Sequence, residues 1–381
     1  MNKNKGITLI ALVITIIILL ILSGISISAL TNQGLFKNAK TAQNATEKAE
    51  KEQGQRLNEY EDEINKYLNN ANEDEKIGLI TDNINKELSK TDNTKLKDEK
   101  GNRIVVPAGF KIVNGATTVD KGIVIEDVTE TATKGSQFVW IPVGTIIKSD
   151  GTTATITLGR YDFDATTGKE SAYSGSYIEE DANDTSTLKK YGNIIAKNIR
   201  NFKNSVATNG GYYIGRYEAR TVTARNAAGN ALTQITEKGT ENVYNYVTQL
   251  QAAQLSQNMY NSDKFTSDLI NSYAWDTAIV FIQNCGTNTK YSIQYSLNKA
   301  LAQTGTNSLS DTSKIDVQCN IYDMASNIWE WTTETSNDSS NPCVYRGGYC
   351  ISSNVFTSNR SNSYTSGRGN VGFRPLLYVN V

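Results

Sequence analysis

Histidine is absent from all 381 residues, which removes the commonest general base and the commonest transition-metal ligand. The four cysteines (Cys285, Cys319, Cys343 and Cys350) form no CxxC pair, so the spacing does not indicate zinc. They read as small buried hydrophobes or as one or two disulfides. The chemistry the chain does offer is recognition. From Tyr349 to Val371 the residues are mainly Ser, Asn, Tyr, Thr, Gly and Arg, and neither an acid nor a lysine occurs between Asn341 and Val381. In binding loops of this composition Tyr gives rigid contact area while Ser, Gly and Asn adapt their hydrogen bonds. The candidate contacts are Tyr349, Ser352, Asn354, Phe356, Asn359, Arg360, Asn362, Tyr364 and Arg368. Tyr349, Phe356, Arg360, Tyr364 and Arg368 would be the anchors. An ordinary solvated loop uses the same vocabulary.

Two firmly patterned stretches flank this run. Before it, N-I-Y-D-M-A-S-N-I-W-E-W-T begins at Asn320; after it, N-V-G-F-R-P-L-L-Y-V begins at Asn370. Trp329 and Trp331 alternate with Glu330, so an extended backbone points both indoles one way and the carboxylate the other. Asp323 and Asn327 read as turn-formers. Arg346 and Arg374 sit beside glycine or proline, where a guanidinium usually satisfies loop carbonyls or a buried acid such as Glu330 or Glu218.

Elements must position these residues. With 38 basic and 39 acidic side chains there is no electrostatic case for a nucleic-acid partner. Tyr (20) outnumbers Phe (9), which suggests a wet, hydrogen-bonding exterior. Residues 7–30 carry no charge and follow two lysines. About 24 residues at 1.5 Å each give roughly 36 Å, enough to cross a bilayer. The positive-inside rule would then leave the remaining chain outside. The expectation is a transmembrane helix at 7–30, a single-pass location in the cell membrane and an extracellular C-terminal domain. Apolar steps of three and four predict a stalk helix over 31–70, and 71–103 reads as a short helix (Ile77–Leu88) and a charged linker. Strands are expected at 104–113, 122–127, 137–143 and 210–220, and helices at 242–257 and 266–284.

The stretch K-G-I-T-L-I-A (Lys5–Ala11) resembles the leader of type IV pilins and pseudopilins. That resemblance implies a leader at 1–6, cleavage between Gly6 and Ile7, and pilus components as partners. Ala11 stands where assembling pilins carry Glu. The motifs F-V-W-I-P-V, G-Y-Y-I-G-R-Y-E, S-Y-A-W-D-T-A, Y-D-M-A-S-N-I-W-E-W, R-G-G and G-F-R-P occur in order within 104–381. Together they resemble the sulfatase-modifying-factor family, whose formylglycine-generating-enzyme fold is a loop-rich variant of the C-type lectin fold. The expected fold class is α+β: a long N-terminal transmembrane and stalk α-helix, then a lectin-like domain with short sheets. The same resemblance implies a calcium ion held by Asn327, Glu330 and backbone carbonyls, since hard oxygen donors suit Ca²⁺. Catalytic relatives use a cysteine pair on the segment after R-G-G to bind copper(I). Here the matching positions fall near Ser352 and Thr357, so an enzyme is not expected. Lectin-fold proteins diversified by retroelements carry their variable region in this place, and the Asn, Ser and Tyr residues of 352–364 belong to the set that adenine mutagenesis of Asn codons yields. The expected function is a surface-displayed receptor or adhesin whose segment 349–371 binds a protein or glycan. The alternative is a minor pilin with a fibre-tip domain.

Overall fold

The computed structural model describes residues 77–80, 88–113, 115, 117–179, 198–295, 316–349 and 354–381, with short helical pieces at 12–16 and within 41–53. Two compact units result, Met1–Lys76 and Ile77–Val381. In the first, the described residues are helical, but Gly6, Ile7 and most of the expected 7–30 span and 31–70 stalk lie outside them.

Among the described residues no helix is long and apolar enough to cross a membrane. The longest is Ser272–Cys285, at 14 residues. That is about 21 Å against the roughly 30 Å of a hydrocarbon core. The described architecture is mostly β, with a few short helices. The α+β expectation built on a long N-terminal transmembrane and stalk helix is therefore corrected, and with it the membrane, pilin and single-pass cell-surface assignments.

The larger unit is organised around two sheets. The first has six strands: β1 (Phe110–Ile112), β2 (Val124–Asp127), β3 (Gln137–Pro142), β4 (Gly211–Gly215), β5 (Phe265–Leu269) and β10 (Pro375–Val379). Their order is β5-β10-β4-β3-β2-β1, antiparallel throughout. The C-terminal strand thus lies inside the sheet, where both neighbours hold it. The second sheet has four strands: β6 (Trp329–Thr335), β7 (Cys343–Arg346), β8 (Arg360–Ser363) and β9 (Val371–Phe373). Its order is β8-β7-β6-β9, with β6 and β9 parallel. The candidate binding run leaves and re-enters this sheet.

Helix α1 (Ile199–Asn209) stops at Gly210, whose φ of 74° is a left-handed cap that its amide closes onto Val206 O. Phe202 of α1 packs edge-on against Tyr212 of β4 and Tyr378 of β10 at 5.1 and 5.6 Å. Helix α2 (Gln249–Gln257) begins with a reciprocal capping box between Thr248 and Gln251. Helix α3 (Ser272–Cys285) is capped by Asn271, whose side chain accepts from Ala274 N at 2.9 Å.

Several local expectations change. The helix expected over 266–284 splits, because Phe265–Leu269 pairs along β10 and the Asn271 cap starts the helix only afterwards. In 242–257 the first residues form a bridge strand (Asn242–Val243), and the helix begins at Gln249. The strand expected at 104–113 is broken by a turn in which Phe110 N bonds Pro107 O. Residues 77–103, read as helix and linker, contribute Gly78–Leu79 and Thr94–Lys97 to a three-stranded sheet with Arg103–Val106. Several tyrosines lie inside rather than on a wet exterior: Tyr212, Tyr213, Tyr244 and Tyr291 are fully buried. Their hydroxyls make this possible, for Tyr212 donates to Ala274 O (2.7 Å) and Tyr213 to Val105 O (2.9 Å).

Gly122 has φ 78°, and a Cβ there would lie 1.9 Å from the carbonyl oxygen of Cys319. Asn320 completes this contact by donating to Gly122 O at 2.8 Å. Gly122→Ala is expected to lower stability by about 1–3 kcal/mol through overpacking and backbone strain. A fall in the urea midpoint at unchanged m would register it.

Candidate functional site

The inner face of the four-stranded sheet is ionic. Arg346 on β7 faces Glu330 on one neighbouring strand and Arg360 on the other. Two like charges directly opposite each other repel, and a carboxylate from α3 resolves the conflict. Asp276 accepts from Arg346 Nη2 on one oxygen (2.5 Å) and from Arg360 Nη2 on the other (2.6 Å). Glu334 accepts from Arg360 Nε at 2.9 Å and also pairs with Arg160. Both guanidiniums reach the Tyr173 ring, Arg360 at 4.0 Å and Arg160 at 4.3 Å. Burial works against the Arg360 charge, but Asp276 and Glu334 outweigh it and push its pKa up. For Arg346, burial first and then repulsion from Arg360 prevail, and its pKa is lowered. Arg360, expected to contact a ligand, has its side chain only 7% exposed and points into this network.

The other face is aromatic. Trp331 is fully buried and donates from Nε1 to Val247 O at 2.9 Å. Trp329, two residues earlier, is only partly buried. It stacks on Tyr345 at 4.8 Å with 26° between the rings, and Tyr349 lies 4.5 Å away, tilted by 48°. Its Nε1 is buried and has no hydrogen-bond partner in the protein. A buried indole N–H usually finds one. Ser361 stands opposite Tyr345 on β8 and is half-buried.

Beyond β8, Tyr364 is 49% exposed, with the Arg368 guanidinium 4.0 Å above its ring. Arg368 also donates to Ser363 Oγ. The backbone here is held from outside: Tyr246 N bonds Arg368 O (2.9 Å) and Asn245 Nδ2 bonds Gly369 O (2.8 Å). Earlier in the run, Asn354 is exposed and Phe356 packs on Tyr295 at 4.7 Å. Asn359 uses its carbonyl, which accepts from Arg346 Nε at 3.0 Å. The Asn362 amide accepts from Tyr177 Oη (3.3 Å) and donates to Asn341 O (3.3 Å). Ser352 lies outside the described residues.

The expected site residues therefore divide. Tyr364 is exposed and Tyr349 and Arg368 are half-buried with ring or guanidinium stacked, whereas Arg360 and Asn362 are engaged within the fold. Trp329 and Tyr345, which lie outside the run expected to bind, join them. The available signal was the alternation itself, which places Trp329 on the face of Trp331 but at the open end of the strand.

The residues expected to share a calcium ion each have a side-chain partner in the protein. Asn327 donates to Glu218, and Glu330 accepts from Arg374 Nε (3.1 Å) and Nη2 (2.6 Å). Arg374 also donates to Gly215 O and Tyr322 O, each at 2.8 Å. Among the described residues no group of three His, Cys, Asp or Glu is arranged to hold a metal ion. What surrounds Asn327 and Glu330 is an excess of buried acid. Glu218, Glu237 and Glu330 share this interior with Arg220 and Arg374, and burial pushes all three carboxyls up. Neither oxygen of Glu237 has a hydrogen-bond partner.

Compared with protein-family models, with curated proteins and with solved structures, the chain matches none.

Proposed function

We propose that the unit 77–381 is a ligand-binding domain, lectin-like in its use of an aromatic platform, and that it binds a glycan or a protein rather than performing catalysis. The observation that carries this is the half-buried aromatic cluster of Trp329 stacked against Tyr345 and Tyr349. Such a cluster suits a sugar, which offers an apolar face to stack on it. It equally suits an apolar or aromatic side chain of a protein. Tyr364, 49% exposed, adds an aromatic ring with the Arg368 guanidinium stacked on it, and the run lacks acids and lysines that would hold water against it. The nucleophile chemistry points away from catalysis, for burial pushes the thiols of Cys285 and Cys343 up to about 12.

The test is a glycan array and a panel of surface proteins probed with the intact chain, followed by titration of any hit. Trp329→Ala, Tyr349→Ala and the Tyr364→Ala/Arg368→Ala pair should each weaken binding by about tenfold or more, equivalent to roughly 1.4 kcal/mol. Val222→Ser, at a position 76% exposed on another segment, should leave it unchanged. Undiminished binding by all three variants would remove the assignment.

A further inference from the structure

Cys285 is the last residue of α3, and Cys319 has a left-handed φ of 47° just before the strand Ile321–Tyr322. Their two segments are in contact. Thr287 donates from N and Oγ1 to Gln318 Oε1, at 2.9 and 3.1 Å. A Cβ on Gly286 would lie 3.5 Å from Cys319 Sγ. Both cysteines are unbonded to another sulfur, and both residues are partly exposed. The Cys319 thiol meets only a long contact, to Asp120 O at 3.7 Å.

We propose that Cys285 and Cys319 are a redox pair that closes into a disulfide, tying the end of α3 to the 316–322 segment. With a disulfide oxidant such as oxidised glutathione, one cysteine attacks to form a mixed disulfide and the second displaces glutathione from it. Two S–H bonds are lost and one S–S bond forms; two electrons and two protons leave on two molecules of reduced glutathione.

The bond would brace more than its own ends. Between the two cysteines lies Tyr291–Tyr295, and this stretch carries part of the candidate binding run. Ser358 N bonds Ser292 O (2.9 Å), Thr357 N bonds Gln294 O (3.0 Å), and Phe356 packs on Tyr295. Oxidation therefore fixes the ledge under residues 356–358. The pairing rests on the contact between the two segments and does not depend on what the run binds. The attacking species is the thiolate, and burial holds both thiols well above their ordinary range; the Cys285 charge adds to the effect at Cys319. Closure is consequently slow at neutral pH and accelerates as pH rises.

The experiment is to incubate the full chain with oxidised glutathione at pH 7 and pH 9, alkylate, digest and map the peptides by mass. The expected product is a peptide pair joined through Cys285 and Cys319, two hydrogens lighter than the separate peptides, forming several-fold faster at pH 9. The melting temperature should rise by roughly 5 °C on oxidation and return on reduction. That shift should be lost in Cys285→Ser and in Cys319→Ser and kept in Cys343→Ser. Glutathione retained singly on either cysteine would overturn the proposal, as would a link from either one to Cys343 or Cys350.

Discussion

Asp276→Ala should destabilise the 77–381 unit by about 3–5 kcal/mol, the range for breaking a buried ion pair from one side. Asp276 is fully buried and is the carboxylate shared by Arg346 and Arg360. It also accepts from Tyr161 N at 2.9 Å. Its loss leaves two guanidiniums opposite one another on adjacent strands, with Glu334 to serve Arg360 and no carboxylate for Arg346. The cost comes from stranded buried charge rather than from lost attraction, and this distinction can be measured. Asp276→Asn keeps an oxygen acceptor and should cost less than alanine. Asp276→Ala combined with Arg346→Met also removes the stranded Arg346 charge and should cost clearly less than the sum of the single changes. Urea unfolding of the four proteins gives the cycle. An additive pair, or an Asp276→Ala protein as stable as the parent, would show that the network contributes little.

Stability should fall as pH rises from about 4 to about 7. Asp268, fully buried on β5, carries the clearest signal, its carboxyl raised from 3.8 to about 7. Burial is the cause, and it outweighs the hydrogen bonds from Gln257 Nε2 (3.1 Å) and Leu269 N (2.8 Å). Between the unfolded and folded values the folded state holds a proton that the unfolded chain has released. Stability from this group is thus complete below about pH 4 and lost as pH climbs through 7. A shift of about three units corresponds to about 4 kcal/mol at 1.36 kcal/mol per unit. Burial displaces Glu218, Glu237 and Glu330 in the same direction, so they add to a loss of the same sign. The exposed acids Asp150, Asp164 and Asp338 are lowered by hydrogen bonds from their own turns, so they act below this window. Asp268→Asn keeps the acceptor for Leu269 N and Gln257 without the charge. It should stabilise the protein at pH 8, leave it little changed at pH 4, and flatten the slope between. Urea midpoints that climb from pH 5 to pH 8 in the parent would contradict this.

Some features were legible in the residues alone. Q-F-V-W-I-P, G-Y-Y-I-G and P-L-L-Y-V are apolar runs bounded by turn residues, and all three became neighbouring strands of the larger sheet. W-E-W placed two indoles on one face, and Arg374 next to proline found the buried Glu330. In each case a local pattern is enough, because strand alternation and a guanidinium's need for an acceptor do not depend on where the chain goes next. Tertiary structure decided the rest. F-T-S-D-L became a strand and not a helix because a partner, the C-terminal strand, was waiting more than a hundred residues away. Several tyrosines went inside because carbonyls of distant segments accept their hydroxyls, which composition cannot reveal. Arg346 pairs with an acid 70 residues earlier, a partner no spacing rule nominates. Arg360 followed it inward, although beside Ser and Asn it reads as a surface contact. The apolar run at 7–30 could support a long helix by composition, yet no described helix has that length. The binding face moved accordingly. The polar run supplies Tyr349, Tyr364 and Arg368, but Trp329 and Tyr345 come from the strands beneath it, because only pairing of those strands stacks their rings.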